Sequence, residues 1–228
     1  MATAEKEAID KKAKLALNKI TPDNYASIRT QVLEIYKSAE SDEDKAAFVK
    51  VFFLKACHEE KYTDLYIDLI KYITNTVFKE KHGPKSTVKF SLLKEEFVES
   101  IRKECQIVFD LLFKEYHLDP TWNEDDIMDY EYKHKKKLFG NLNFIALLVK
   151  NKMLNQKVPF YVFSDLLKDA SQHKGQNKLN TYEGACKFLS QIGSTIDKQG
   201  QELNEKQRET QEKFEGIIKQ MKDISEDP

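Results

Sequence analysis

LFGNLNFIALLVKNKML, residues Leu138 to Leu154, stands directly behind the basic triplet Lys135-Lys136-Lys137. Its apolar side chains recur at three- and four-residue steps, the mark of one buried face on an α-helix. Gly140 lies inside this pattern, where a glycine costs about 1 kcal/mol relative to alanine. Close packing of a neighbouring helix is the expected compensation. The stretch is shorter than the roughly 20 apolar residues that cross a bilayer, so it reads as core rather than as a membrane span.

The same period extends outward in both directions. A first helix is expected over about Glu5 to Lys19, ending at Thr21-Pro22, where Thr21 would cap the next helix and Pro22 take its first position. Tyr25, Ile28, Val32, Ile35 and Tyr36 then form one apolar face. Ser41, with Asp44 three residues on, opens a helix whose buried side is read as Phe48, Val51, Phe52 and Lys55. Leu65 to Val77 mark a fourth helix, ended by Gly83-Pro84. Phe90, Leu93, Phe97, Ile101, Cys105, Val108 and Leu112 are read as one long stripe broken before Pro120.

Asn123 to Asp126 is a loop or helix start, and a long helix then runs to about Met153. Helices are further expected at about Val158 to Ala170, Tyr182 to Asp197 and Leu203 to Ile224, with Asn180 and Glu183 forming a capping box for the second of these. About nine helices and no strand point to an all-α fold. Antiparallel pairs recurring at roughly 40 residues suggest a HEAT-type α-solenoid. A compact irregular bundle is the alternative. Residues 1–228 are expected to form one such domain, with the last helix of a fifth pair missing if the chain stops at its first.

Composition narrows the function. The chain has 228 residues, with 7 glycines, 5 prolines and a formal net charge of −1, which excludes a bulk electrostatic drive towards nucleic acid or membranes. RNA contact would need a local patch. Cys57, Cys105 and Cys186 each sit in an apolar helical pattern, which predicts three buried, reduced thiols. The N-terminal MATAEKEAIDKKAK lacks the apolar core of a secretory signal, so a soluble, cytoplasmic protein is expected.

Chemistry is sparse. His58, His82, His117, His134 and His173 are far apart and have no partner at metal-ligand spacing, and no nucleophile elbow, phosphate loop or dinucleotide glycine pattern occurs. No catalytic residue, metal or cofactor is therefore assigned. Surface recognition remains. Lys133, His134, Lys135, Lys136 and Lys137 place up to five basic groups within about one and a half turns. They are read either as a phosphate-contacting patch or as a solvated face paired with Asp126, Asp129 or Glu131. The junctions Lys19 to Asp23 and His58 to Thr63 would align along one edge of a solenoid. Tyr62 and Trp122 are large aromatics in polar surroundings, each either a partner anchor or a ring packed under a loop.

Four blocks together resemble the middle domain of eukaryotic translation initiation factor 4G: LNKITPDNY (Leu17 to Tyr25), FLKACHEEKYTDLYIDL (Phe53 to Leu69), LFGNLNFIALLVKNKML, and GACKFLSQIGSTID (Gly184 to Asp197). The resemblance implies a HEAT-type crescent without catalytic residues, and a partner, the DEAD-box RNA helicase initiation factor 4A; a monomer is expected. It implies partner contact through Lys19, Thr21, Pro22, Asp23, Glu59, Glu60, Lys61 and Tyr62. RNA contact would run through Lys133, Lys135, Lys136 and Lys137, by point charge rather than the bidentate contacts arginine makes. Ala146 and Leu147 depart from the glycine and acidic residue usual in the third block. A related middle-domain adaptor of splicing, decay or cap binding, with another DEAD-box partner, is the alternative.

Overall fold

The computed structural model describes residues 2–83, 88–114, 116–172 and 175–197, with further helical residues between 208 and 222. The described residues up to 197 form eight α-helices: α1 (Ala2–Leu17), α2 (Tyr25–Lys37), α3 (Asp42–His58), α4 (Thr63–His82), α5 (Glu96–Lys114), α6 (Glu124–Lys150), α7 (Val158–Gln172) and α8 (Gly175–Ile196). Single 3-10 turns lie at Glu60–Tyr62 and Leu92–Lys94, and no strand occurs among the described residues. The expected helix Leu203 to Ile224 falls partly outside the described residues, as do Pro84, His173 and Phe214. Within it Ile217, Ile218 and Met221 are half-buried against the core.

Several boundaries follow the local chemistry read above. Ser41 caps α3, its hydroxyl accepting from the Asp44 amide at 3.1 Å. Asn123 caps α6 in the same way through the Asp126 amide at 2.9 Å, so the acidic stretch is a helix start. Other expectations are corrected. Asn24, rather than Thr21, precedes α2: its side chain accepts from the Thr21 amide at 2.9 Å and donates to the Lys19 carbonyl at 2.5 Å. This local turn satisfies the junction backbone and leaves Pro22 outside the helix.

The long stripe from Phe90 is also shorter than expected. α5 begins at Glu96, and Phe90 instead meets the Phe78 ring edge-on at 5.0 Å. α8 begins seven residues before Tyr182, so Asn180 is internal and buried rather than a cap. Its amide accepts from Gln176 at 3.0 Å, and the neighbouring Thr181 hydroxyl reaches Asp169 of α7 at 3.3 Å. A same-helix partner one turn back and a lateral one on α7 satisfy these polar groups.

Direction alternates along the chain, because each short connection reverses it. Phe53 and Phe144 meet at 5.6 Å while Cys57 lies against Gly140, so α3 and α6 are antiparallel. Lys135 pairs with Glu183 and Gln191 donates to Asn143, so α6 and α8 are parallel. Odd helices α1, α3 and α5 pack side by side, as do the even helices α2, α4, α6 and α8, with α7 against α8. This is the all-α, HEAT-type stack of helix pairs that the sequence led one to expect. The junctions within pairs, α1–α2, α3–α4 and α5–α6, gather at one end of the stack.

The core between the layers is aromatic at its N-terminal half. Tyr36, Phe48, Phe52, Tyr66 and Phe97 pack with ring centroids between 4.8 and 6.2 Å apart, in tilted, stacked and edge-on pairs. Leu147 is half-buried against the core and Ala146 fully buried, so the departure from the family pattern is repacked rather than displayed. Trp122 lies 5.1 Å from the Tyr130 ring, as a loop-packing residue. Cys57 and Cys105 are buried, but Cys186 is exposed: its neighbours Ala185 and Phe188 take the core-facing positions of α8.

Gly140 answers the question its position raised. A Cβ built there would lie far inside van der Waals contact distance of the Cys57 carbonyl oxygen and 3.0 Å from its carbon. Backbone meets backbone, so nothing flexible can give way. Gly140→Ala is expected to destabilise the fold by about 1–3 kcal/mol in urea unfolding despite its better helix propensity. Gly216→Ala, where nothing lies within 4 Å, is the control in which the helix-propensity gain acts alone, so its midpoint is expected to hold or rise. Burial pushes the Cys57 and Cys105 thiols well above their ordinary range. At neutral pH a thiol reagent is expected to titrate Cys186 alone in the native protein, and all three cysteines after denaturation.

Candidate functional site

The reversal between α3 and α4 builds a cleft. α3 ends at His58, Glu59 follows, and the 3-10 turn Glu60–Tyr62 leads into α4. Opposite this wall stand Tyr132, Lys135, Lys136 and Phe139 of α6, and Glu183 and Lys187 of α8, enclosing about 580 Å³. A smaller cavity of about 200 Å³ continues along the α6–α8 seam past Leu142, Asn143 and Gln191. The seam is tight because α8 carries Gly184, whose Cβ would stand 3.1 Å from the Leu142 side chain. A polar chain crosses its floor: Gln191 donates to Asn143 at 2.7 Å, and Asn143 to the Thr63 hydroxyl at 3.4 Å.

Charge in the cleft is divided unevenly. The Glu183 carboxylate takes Lys135 at 2.6 Å and Lys187 at 3.2 Å. Both ammonium groups also lie over the Phe139 ring, at 5.3 and 4.2 Å from its centroid. The hydrogen bond from Lys135, then that from Lys187, holds the Glu183 carboxyl below its ordinary range against the opposing effect of burial. Lys61 and Lys136, on opposite walls, have no carboxylate within ion-pair distance among the described residues.

The residues singled out in the sequence separate into three groups. Glu59, Glu60, Lys61 and Tyr62 come together with Lys135 and Lys136 in the one cleft, although the first four were read as protein-binding and the last two as RNA-binding. Lys19, Thr21, Pro22 and Asp23 lie at the α1–α2 junction and do not line it. Lys133 and Lys137 are exposed beside it, and Lys133 is tied to Asp129 at 2.5 Å. One correction concerns His134. It is buried, its Nε2 2.8 Å from the Leu112 carbonyl oxygen, so it locks α6 to α5 and adds nothing to the basic surface.

Glu59 is also different in kind from its neighbours. It pairs with Lys55 one turn back and accepts from the Tyr66 hydroxyl at 2.5 Å. Lys55, read as part of the buried side of α3, thus sits at its margin. Sequence reasoning missed Tyr132, Phe139, Glu183 and Lys187 as cleft residues. The i, i+4 spacings Tyr132–Lys136, Lys135–Phe139 and Glu183–Lys187 were available, but nothing local says that α8 lies beside α6. No group of three or more His, Cys, Asp or Glu with metal-site geometry occurs among the described residues. Nor is any described helix long and apolar enough to cross a membrane.

The MIF4G domain family matches residues 10–228. The eukaryotic translation initiation factor 4 gamma of Dictyostelium discoideum is 25% identical over 230 residues, covering 88% of this chain and 16% of that protein. A von Willebrand factor A domain-containing protein of the same organism is 25% identical over 187 residues, covering 82% of this chain and 8% of its own length. The chain thus spans a small fraction of the relatives it matches. In structure it is similar to the MIF4G domain of Trypanosoma cruzi translation initiation factor EIF4G5, with a TM-score of 0.58, 15% identity, and coverage of 95% of this chain and 88% of that one. The structural likeness supports the fold alone.

Glu59 and Glu60 are adjacent acidic residues with different expected behaviour. Glu59→Ala leaves the buried Tyr66 hydroxyl without its acceptor, and a loss of about 1–3 kcal/mol is expected in chemical denaturation. Glu60→Ala, an exposed change, is expected to leave the midpoint within about 0.5 kcal/mol of the parent.

Proposed function

Because the chain belongs to the MIF4G domain family, we propose that it is a non-catalytic scaffold of translation initiation that binds and stimulates the DEAD-box RNA helicase initiation factor 4A and contacts RNA. The observation that carries this reading is the meeting, at one end of the helix stack, of the α3–α4 junction and the lysines of α6 in a single cleft. Residues 1–228 act as one HEAT-type domain, cytoplasmic and monomeric, without a cofactor.

The helicase docks along the end where the within-pair junctions gather. Lys19, Thr21, Pro22 and Asp23 form one part of that surface, and Glu60, Lys61 and Tyr62 the other, with Glu59 fixing the turn that presents them. Lys133, Lys135, Lys136 and Lys137 attract RNA beside it. The scaffold supplies no reacting group. It works by touching the two lobes of the helicase better in one arrangement than in another, which shifts their population. A tenfold rise in turnover corresponds to about 1.4 kcal/mol of such differential contact, within reach of a few exposed side chains.

The test is helicase turnover at saturating scaffold. The isolated domain is expected to hydrolyse no ATP and to raise RNA-dependent hydrolysis by factor 4A. Lys19→Glu with Asp23→Arg, both exposed positions, is expected to reduce that stimulation several-fold without altering the unfolding midpoint. Unchanged turnover with the parent domain overturns the proposal. Co-purification of a different DEAD-box protein, with factor 4A absent, assigns the domain to an adaptor of splicing, decay or cap binding instead.

A further inference from the structure

Four lysines line the cleft, yet they are not equally available. Lys61 and Lys136 stand on opposite walls without carboxylate partners among the described residues, whereas Lys135 and Lys187 converge on one carboxylate, that of Glu183. Both of the converging lysines are further held over Phe139. Two cations fixed around one anion, on an aromatic floor, form a preorganised site for a single negatively charged group. In this structure that group is supplied by the protein itself.

We propose that Glu183 is a built-in competitor that occupies the phosphate site of a single-stranded RNA cleft, so that a phosphate must displace it to reach Lys135 and Lys187. The inference rests on the RNA-contacting part of the proposed function; because Lys61 and Tyr62 also belong to the proposed helicase surface, RNA binding is measured on this domain without the helicase. A single strand is favoured over a duplex because the lining carries Tyr62 and Tyr132 as aromatic surfaces for unstacked bases. RNA is favoured over an acidic protein segment because the unpaired lysines lie on both walls and suit repeated phosphates along a strand. The hydrogen bond from Lys135 draws the Glu183 carboxyl below its ordinary range, which favours the anionic form that competes with phosphate.

Competition has a thermodynamic signature. A phosphate that meets a free lysine releases a condensed counterion, but one that replaces a carboxylate merely exchanges one anion for another. RNA binding by the parent protein is therefore expected to show a shallower salt dependence than its lysine content allows. Glu183→Gln removes the competing charge and keeps the shape. Binding of a uridine oligomer, followed by fluorescence anisotropy across a salt series, is expected to tighten. Its log–log salt slope is expected to grow by about 0.7 in magnitude, the value for one further phosphate contact on a single strand. Because the pairs broken are exposed, the unfolding midpoint is expected to hold.

Lys61→Glu and Lys136→Glu serve as the second arm, and Glu60→Gln as a control that changes net charge equally without freeing a lysine. Weaker RNA binding in the two lysine variants, with tighter, steeper binding only in Glu183→Gln, supports the proposal. Weaker binding in the lysine variants with no gain in Glu183→Gln, or an equal gain in Glu60→Gln, overturns the competitor role while leaving RNA in the cleft. No change in either lysine variant overturns both the inference and the RNA reading of the cleft. Tighter binding of polyglutamate, but not of the uridine oligomer, by Glu183→Gln assigns the site to an acidic protein segment and also overturns it.

Discussion

The backbone contact between Gly140 of α6 and the Cys57 carbonyl of α3 is the constraint on which the arrangement depends. It lets two helices from different pairs approach more closely than any side chain on α6 would permit. The turn that follows Cys57 is thereby drawn against the N-terminal half of α6, and that approach makes the cleft. One position further along α3, His58 already lines it; one position before Gly140, so does Phe139. The packing seam and the cleft are thus two ends of one contact.

A second seam, α6 against α8, completes the surface by a related device. Gly184 lets α8 close on Leu142 and Phe139, and this places Glu183 and Lys187 opposite Lys135. The outcome is an electrostatic hub assembled from residues 48 positions apart. Exposed ion pairs contribute little to stability, so the arrangement has more to do with which charges remain available to a partner. A lysine held by a carboxylate and an aromatic face is electrostatically different from one in open solvent, although the two are identical in sequence.

Much of the architecture was legible locally. Apolar periodicity located the helices, and Ser41 gave a starting point that holds to the residue, because a cap is a contact between positions three apart; at Asn123 to Asp126 the structure chose the helix start over the loop. Errors arose where a local rule was answered from a distance or by a better local turn. Asn180 has the form of a cap but is buried inside α8, next to a threonine that bonds to α7. Phe90 continues the stripe of α5 in register but packs on Phe78 of α4. Thr21 was displaced as a cap by Asn24, whose amide can both accept and donate within the same turn.

The sequence by itself determined an all-α stack of helix pairs, the family to which the chain belongs, and a glycine that needs a close neighbour. The stack and the glycine follow from periodicity, which acts over a few residues, whereas the family follows from the resemblance of four separate blocks. Only the tertiary structure decided that Cys57 is the neighbour, that Glu59 belongs to Tyr66, and that His134 is interior. It also decided that residues read as two separate surfaces share one cleft, with Glu183 at its centre. Helical period says which face of a helix is buried, but not which other helix covers it or how far along. That information is carried by the packing of whole helices against one another, and the cleft exists only as its consequence.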